Sequence, residues 1–96
     1  MDEYLRRVEG IVRDALQGYS YSLYLFGSRA RGDHTHGSDY DLAVEAEDDV
    51  ATPLLLARER LEESTIPYCV DLLDLRETSE ELREVVRREG VLLCRQ

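Results

Sequence analysis

With 96 residues, 43% of them apolar, the chain holds material for one small domain predicted over 1–96, which buries roughly 60–68% of its unfolded surface. Twenty-one acidic residues stand against 12 arginines for a net charge of −9, a balance that repels phosphate backbones and argues against stable nucleic-acid binding while favouring basic protein surfaces and hard cations. The absence of lysine removes P-loop, Schiff-base and lysyl-adenylate chemistry, and no run reaches the roughly 20 apolar residues of a membrane span.

In chain order, Leu5, Val8, Ile11, Val12, Ala15 and Leu16 recur at helical spacing and stop before Gly18, predicting a helix over about 2–17. YSYSLYLF, residues 19–26, alternates aromatic and apolar side chains and reads as a strand; the following GSRAR is compatible with a short helix. DYDLAVEA, residues 39–46, predicts a second strand with Leu42 and Val44 on one face and Asp39, Asp41 and Ala43 on the other. Thr52 offers an N-cap and Pro53 a first helical position for a helix over about 53–63 with Leu54, Leu55, Ala57 and Leu61 as its buried stripe. PYCVDLLDL, residues 67–75, reads as a third strand. Thr78 and Glu81 have capping-box spacing before a helix that turns Leu82, Val85 and Val86 inward and ends at Gly90, ahead of a short edge strand VLLC. The expected order is α-β-(short α)-β-α-β-α-β. MDEYLRRVEG lacks the cationic start and apolar core of a signal peptide, so a cytoplasmic protein with no membrane partner is expected.

Three features carry chemistry. The junction Phe26-Gly27-Ser28 brings a strand into a helical turn, where free backbone N–H groups attract an anion; Ser28 adds a hydroxyl, and Arg29 or Arg31 a fixed charge. Asp39 and Asp41, two apart on a strand, share a face; at about 5 Å and an effective dielectric near 20 their charges repel by roughly 3 kcal/mol, which a divalent cation relieves. A solvated turn and edge is the commoner origin of such a pair, but Leu42, Ala43 and Val44 carry this one straight into the sheet. Asp71 and Asp74 lie three apart, so only one can face the first pair. Asp71, flanked by apolar residues, needs a partner more than Asp74 near the strand end, and Asp71 is the choice. Three carboxylates opposite a phosphate-holding turn suit two-metal phosphoryl or nucleotidyl transfer, with Asp71 able to take the proton of the attacking hydroxyl.

Gly27-Ser28, ten residues, then Asp39-Tyr40-Asp41 resembles the signature of the polymerase-beta-like nucleotidyltransferases. The run GSRARG…GSDYDLAV with VDLLDL downstream is similar to their minimal nucleotidyltransferase (MNT) branch, over nearly the whole chain. The resemblance implies an α/β (α+β) nucleotidyltransferase fold, a small mixed β-sheet with helices packed mainly on one face. It further implies an ATP- and magnesium-dependent protein adenylyltransferase, two Mg2+ ions, and an antitoxin that adds AMP to a tyrosine of a partner HEPN ribonuclease toxin, with which it forms a hetero-oligomer. Residue by residue, Gly27 and Ser28 match the phosphate-holding positions, with Arg31 beside them and Arg29 the alternative arginine; Asp39, Asp41 and Asp71 match the catalytic and metal-binding acids. Two other readings compete: a binding module that blocks the toxin without catalysis, and a nucleotidyltransferase acting on a small molecule.

The remaining features read plainly. His34 and His36 suit a solvated polar loop better than a metal site, Cys69 and Cys94 sit in apolar runs and read as buried thiols, and the tyrosines read as packing on strands. RERLEE and EELREVVRRE read as solvated helix faces.

Overall fold

A computed structural model describes residues 3–32 and 39–96; the readings made for His34 and His36 lie outside them. The elements run α1 (Glu3–Ala15), β1 (Ser22–Phe26), α2 (Gly27–Arg31), β2 (Tyr40–Glu45), α3 (Ala51–Glu63), β3 (Val70–Asp74), a 3-10 turn (Leu75–Glu77), α4 (Glu80–Glu89) and β4 (Val91–Arg95). This is the expected order with one added turn. The strands form a single sheet, β3-β2-β1-β4, in which β2 and β3 are parallel and the other pairs antiparallel.

Alternation along the strands divides the core. Leu23, Leu25, Leu42, Val44 and Leu72 point to one face, beneath Leu5, Val8, Val12 and Leu16 of the first helical segment and Leu54, Ala57 and Leu61 of α3. Ala43 points to the other, where Leu75 and Val86 complete a smaller cluster bordered by Tyr24, Phe26, Leu73 and Leu82. The helices therefore lie mainly on one face. The opposite face carries α4 over part of its area and leaves the rest to the side chains of Asp41 and Asp71.

Several boundaries move for identifiable reasons. Gly18 adopts φ +93° and closes the first helix with a turn, Tyr19 N–H donating to Leu16 C=O at 3.0 Å, so β1 begins later than the aromatic run suggests. Helix α3 starts earlier than expected because Asp49 accepts the Ala51 N–H at 3.0 Å and Val50 occupies the N-cap position without a side-chain bond. Thr52 is thus not the cap, and Pro53 is the third residue of the helix, still within the first turn, where a missing N–H leaves nothing unpaired. Helix α4 is capped by Ser79, whose hydroxyl accepts the Leu82 N–H at 3.2 Å; Thr78 instead donates to Leu75 C=O, so the Thr78–Glu81 capping box does not form.

Candidate functional site

The site lies at the end of the sheet where β1 runs out and β2 and β3 begin. Register places Phe26 opposite Asp41 and Asp41 opposite Asp71, so the turn after β1 and the two carboxylates occupy one row across three strands. Since paired strands lie about 4.8 Å apart, that row sets the two acids side by side on the face of α4. Gly27 makes the close approach possible. It adopts φ +75°, and a Cβ there would collide with Oδ2 of Asp41 and lie 3.2 Å from its Cγ. Any other residue would be strained in conformation and would strike the carboxylate. From Gly27 the chain makes the five-residue α2, whose first turn has no side-chain cap and which Gly32 ends at φ +82° with its N–H on Ser28 C=O at 3.0 Å.

Electrostatics follow from the row. Asp41 is half-buried, and its carboxyl is pushed above the usual range by burial first, then by the neighbouring charges of Asp71 and Asp39, against the opposing pull of Arg31. Asp39, just ahead of β2, and Asp71 are exposed. Among the described residues no three His, Cys, Asp or Glu side chains form a metal-holding cluster. The chain presents Asp41 and Asp71 as an in-register pair, with Asp39 near enough to be felt at Asp41. Hard oxygen donors that repel one another remain the donor chemistry of Mg2+.

Asp74 corrects the argument used to choose between the two acids of β3. It is the buried one, 6% exposed, and its carboxylate caps the 3-10 turn by accepting the Arg76 N–H at 3.0 Å. The need for a partner thus falls on Asp74 and is met locally, whereas Asp71, chosen on that ground, is exposed and joins Asp41 through register alone. The two arginines also separate. Arg31 is the one whose charge acts on Asp41, while the Arg29 guanidinium lies over the Tyr40 ring at 3.9 Å and the Tyr68 ring at 5.0 Å.

Features not anticipated surround the site. A cavity of about 420 Å³ borders Asp71, walled by Arg58, Leu61, Ile66, Tyr68 and Leu72. Along β3, Arg58 donates twice to Leu72 C=O, at 3.1 and 2.8 Å, and so covers part of an edge strand. The pairing of Arg58 with a strand 14 residues away leaves no local pattern to read. Neither thiol is buried as expected: Cys69 is exposed and Cys94 half-buried.

Known proteins resemble the chain in sequence and fold. The chain is 42% identical over 90 residues to the Haemophilus influenzae protein named "Probable protein adenylyltransferase MntA", covering 86% of this chain and 75% of that one. It superposes on a toxin–antitoxin crystallised with AMP-PNP with a TM-score of 0.76 and 30% identity, covering 93% of this chain and 71% of that chain. A complex of tri-AMPylated Shewanella oneidensis HEPN toxin with MNT antitoxin gives 0.71 and 27%, over 95% of this chain and 69% of the other. Residues 18–96, which hold the turn, the acid row and the whole sheet, match the family model described as "Polymerase beta, Nucleotidyltransferase", and the chain belongs to that nucleotidyltransferase family.

Proposed function

We propose that the chain is a magnesium-dependent nucleotidyltransferase that moves AMP from ATP to a tyrosine hydroxyl of a partner HEPN ribonuclease toxin and thereby acts as its antitoxin. The observation that carries the reading is the row Phe26–Asp41–Asp71, which sets a glycine–serine turn against two carboxylates on one sheet face. Likeness to a named adenylyltransferase, to a complex whose HEPN toxin bears AMP and to one that holds an ATP analogue supports the substrate and partner. The cytoplasm, where ATP and such a toxin meet, is the proposed compartment; among the described residues no helix is long and apolar enough to cross a membrane. Residues 1–96 are read as one minimal nucleotidyltransferase domain.

In the reaction, the tyrosine oxygen attacks the α-phosphorus of ATP, the bond from that phosphorus to the bridging oxygen breaks, and diphosphate leaves. Gly27 and Ser28 hold the phosphates, with the charge of Arg31 beside them. Asp71, exposed at the strand edge, receives the hydroxyl proton. Magnesium, held by Asp39, Asp41 and Asp71, would supply Lewis-acid neutralisation of the phosphate charge. A cation bound there would relieve the repulsion that Asp71 and Asp39 impose on Asp41.

Incubating the chain with labelled ATP, magnesium and the purified toxin tests this. Label on a toxin tyrosine is expected, lost when magnesium is omitted and in Asp39→Ala/Asp41→Ala. If that double variant protects cells from the toxin as well as the parent does, the chain is a blocking module. Label on a small molecule would overturn the protein acceptor, and the cavity beside Asp71 gives that outcome a place to occur.

A further inference from the structure

Helix α2 has only five residues and buries none of them fully. A helix of one turn has no stability of its own, since nucleation alone is unfavourable and even helices of about 12–15 residues are marginal in water. Yet Gly27 and Ser28 are its first two residues, and their distance from Asp41 and Asp71 must be fixed closely for a phosphate held at one to be acted on at the other. Something other than α2 must supply the rigidity.

Arg29 is placed to do so. Its guanidinium sits in the corner of two nearly perpendicular rings, 3.9 Å from the centroid of Tyr40 and 5.0 Å from that of Tyr68, the rings being 5.6 Å apart at 80°. Tyr40 is 1% exposed and immediately precedes Asp41; Tyr68 leads into the strand that carries Asp71. Tyr68 is itself held edge-on by Tyr4 of α1 at 5.3 Å, and Arg7 lies over the Tyr4 ring at 5.8 Å. The planar cation therefore touches, from α2, the entrance of both acid-bearing strands, and through Tyr68 it reaches the first helix. Ala30, half-buried against the main core, adds a small apolar anchor on the same turn.

We propose that Arg29 is a positioning residue: lodged in the corner between Tyr40 and Tyr68, it fastens the glycine–serine turn to β2 and β3 and so sets the spacing between bound phosphate and the acids Asp41 and Asp71. The inference rests on the nucleotidyltransferase reading above. It assigns the two arginines of the turn different work, with Arg31 facing the acids and Arg29 facing the aromatic rings. It also gives Tyr68, outside every strand and helix, a task in the site. Lysine would replace Arg29 poorly, because an ammonium does not lie flat on a ring as a guanidinium does.

The test compares the parent with Arg29→Lys, Arg29→Leu, Tyr68→Phe, Tyr68→Leu and the double leucine variant. It reads kcat and KM for ATP in AMP transfer to the toxin, affinity for AMP-PNP with magnesium by calorimetry, and thermal unfolding. At a temperature where all are folded, both single leucine variants are expected to lose at least about tenfold in kcat/KM, the cost of a misplaced reacting group. Arg29→Lys recovers only part of this, Tyr68→Phe stays within about twofold of the parent because the ring face is kept, and the double variant is no worse than the poorer single one. An impaired Arg29→Leu beside a fully active Tyr68→Leu would mean that Arg29 acts on the nucleotide itself and would overturn the proposal. So would leucine variants that melt earlier but keep the parent's kinetics. Should they not fold, unchanged kinetics in Arg29→Lys overturn it. A parent that transfers no AMP sinks the functional reading, and the clamp is then judged on AMP-PNP: equal affinity in parent and Arg29→Leu, or no binding by the parent, overturns it.

Discussion

At the scale of single residues the site trades stability for chemistry. Asp41 carries a charge that burial and two neighbouring carboxylates disfavour, a repulsion that the exposure of Asp71 reduces to about 1 kcal/mol. Asp41→Asn is therefore expected to end AMP transfer while raising the melting temperature of the ligand-free chain by about 4–8 °C, the shift that 1 kcal/mol produces in a domain of this size; scanning calorimetry beside the labelled-ATP assay checks both. Gly27→Ala should do harm on both counts, losing about 1–3 kcal/mol to the left-handed backbone and more to the collision with Asp41, read as a lower urea midpoint together with loss of labelling. The paired aspartates and the glycine–serine turn were legible because their spacing is local. Burial was not: flanking apolar residues made Asp71 look enclosed and Asp74 solvated, whereas the 3-10 turn encloses Asp74 and the strand edge exposes Asp71. Local apolarity reports the strand, not which of its faces is covered.

At the scale of elements, caps decide boundaries. Ser79→Ala removes the hydroxyl that accepts the Leu82 N–H and should cost about 1 kcal/mol; Thr78→Ala, losing only a bond to Leu75 C=O, should cost less. Chemical denaturation of the two variants gives the order, and AMP transfer by both should match the parent at temperatures where they are folded. Spacing to Glu81 points to Thr78, but the 3-10 turn engages that hydroxyl and leaves the cap to Ser79 beside it. Periodicity and apolar runs located α1, α3, α4 and the strands, whereas α2, which buries no residue fully, reads only as compatible with a short helix after the glycine–serine junction. These patterns missed the true start of α3, where Asp49 supplies the turn that Thr52 was expected to make. They could not reveal that α2 depends on rings contributed from distant segments.

At the scale of the molecule, the start of β1 and the end of the chain are joined at Tyr21, whose N–H donates to Gln96 C=O at 3.2 Å and whose hydroxyl is buried without a hydrogen bond of good geometry. Its pKa is pushed up to about 12, by burial first and by the Cys94 thiol next, from an ordinary value of 10. A group whose folded-state pKa is raised contributes stability that is complete below its unfolded value and disappears as pH climbs through the folded one. The fold should accordingly weaken between pH 10 and about 12, and Tyr21→Phe should lessen that loss, measured as melting temperature against pH. Mixed architecture was foreseeable from the order of elements. The strand order was not, since β4 returns to pair with β1 across the length of the chain, and no local pattern encodes such a partner.

The parallel ladder between β2 and β3 has a further implication. Because Asp41 meets Asp71 and Leu42 meets Leu72 in the same ladder, sliding β3 by one residue would turn Asp71 toward the oily layer under α1 and α3 and bring Leu72 to the face of Asp41. Hydrophobic sorting forbids that slip, so closing the interior by itself excludes every odd misalignment of the acid row.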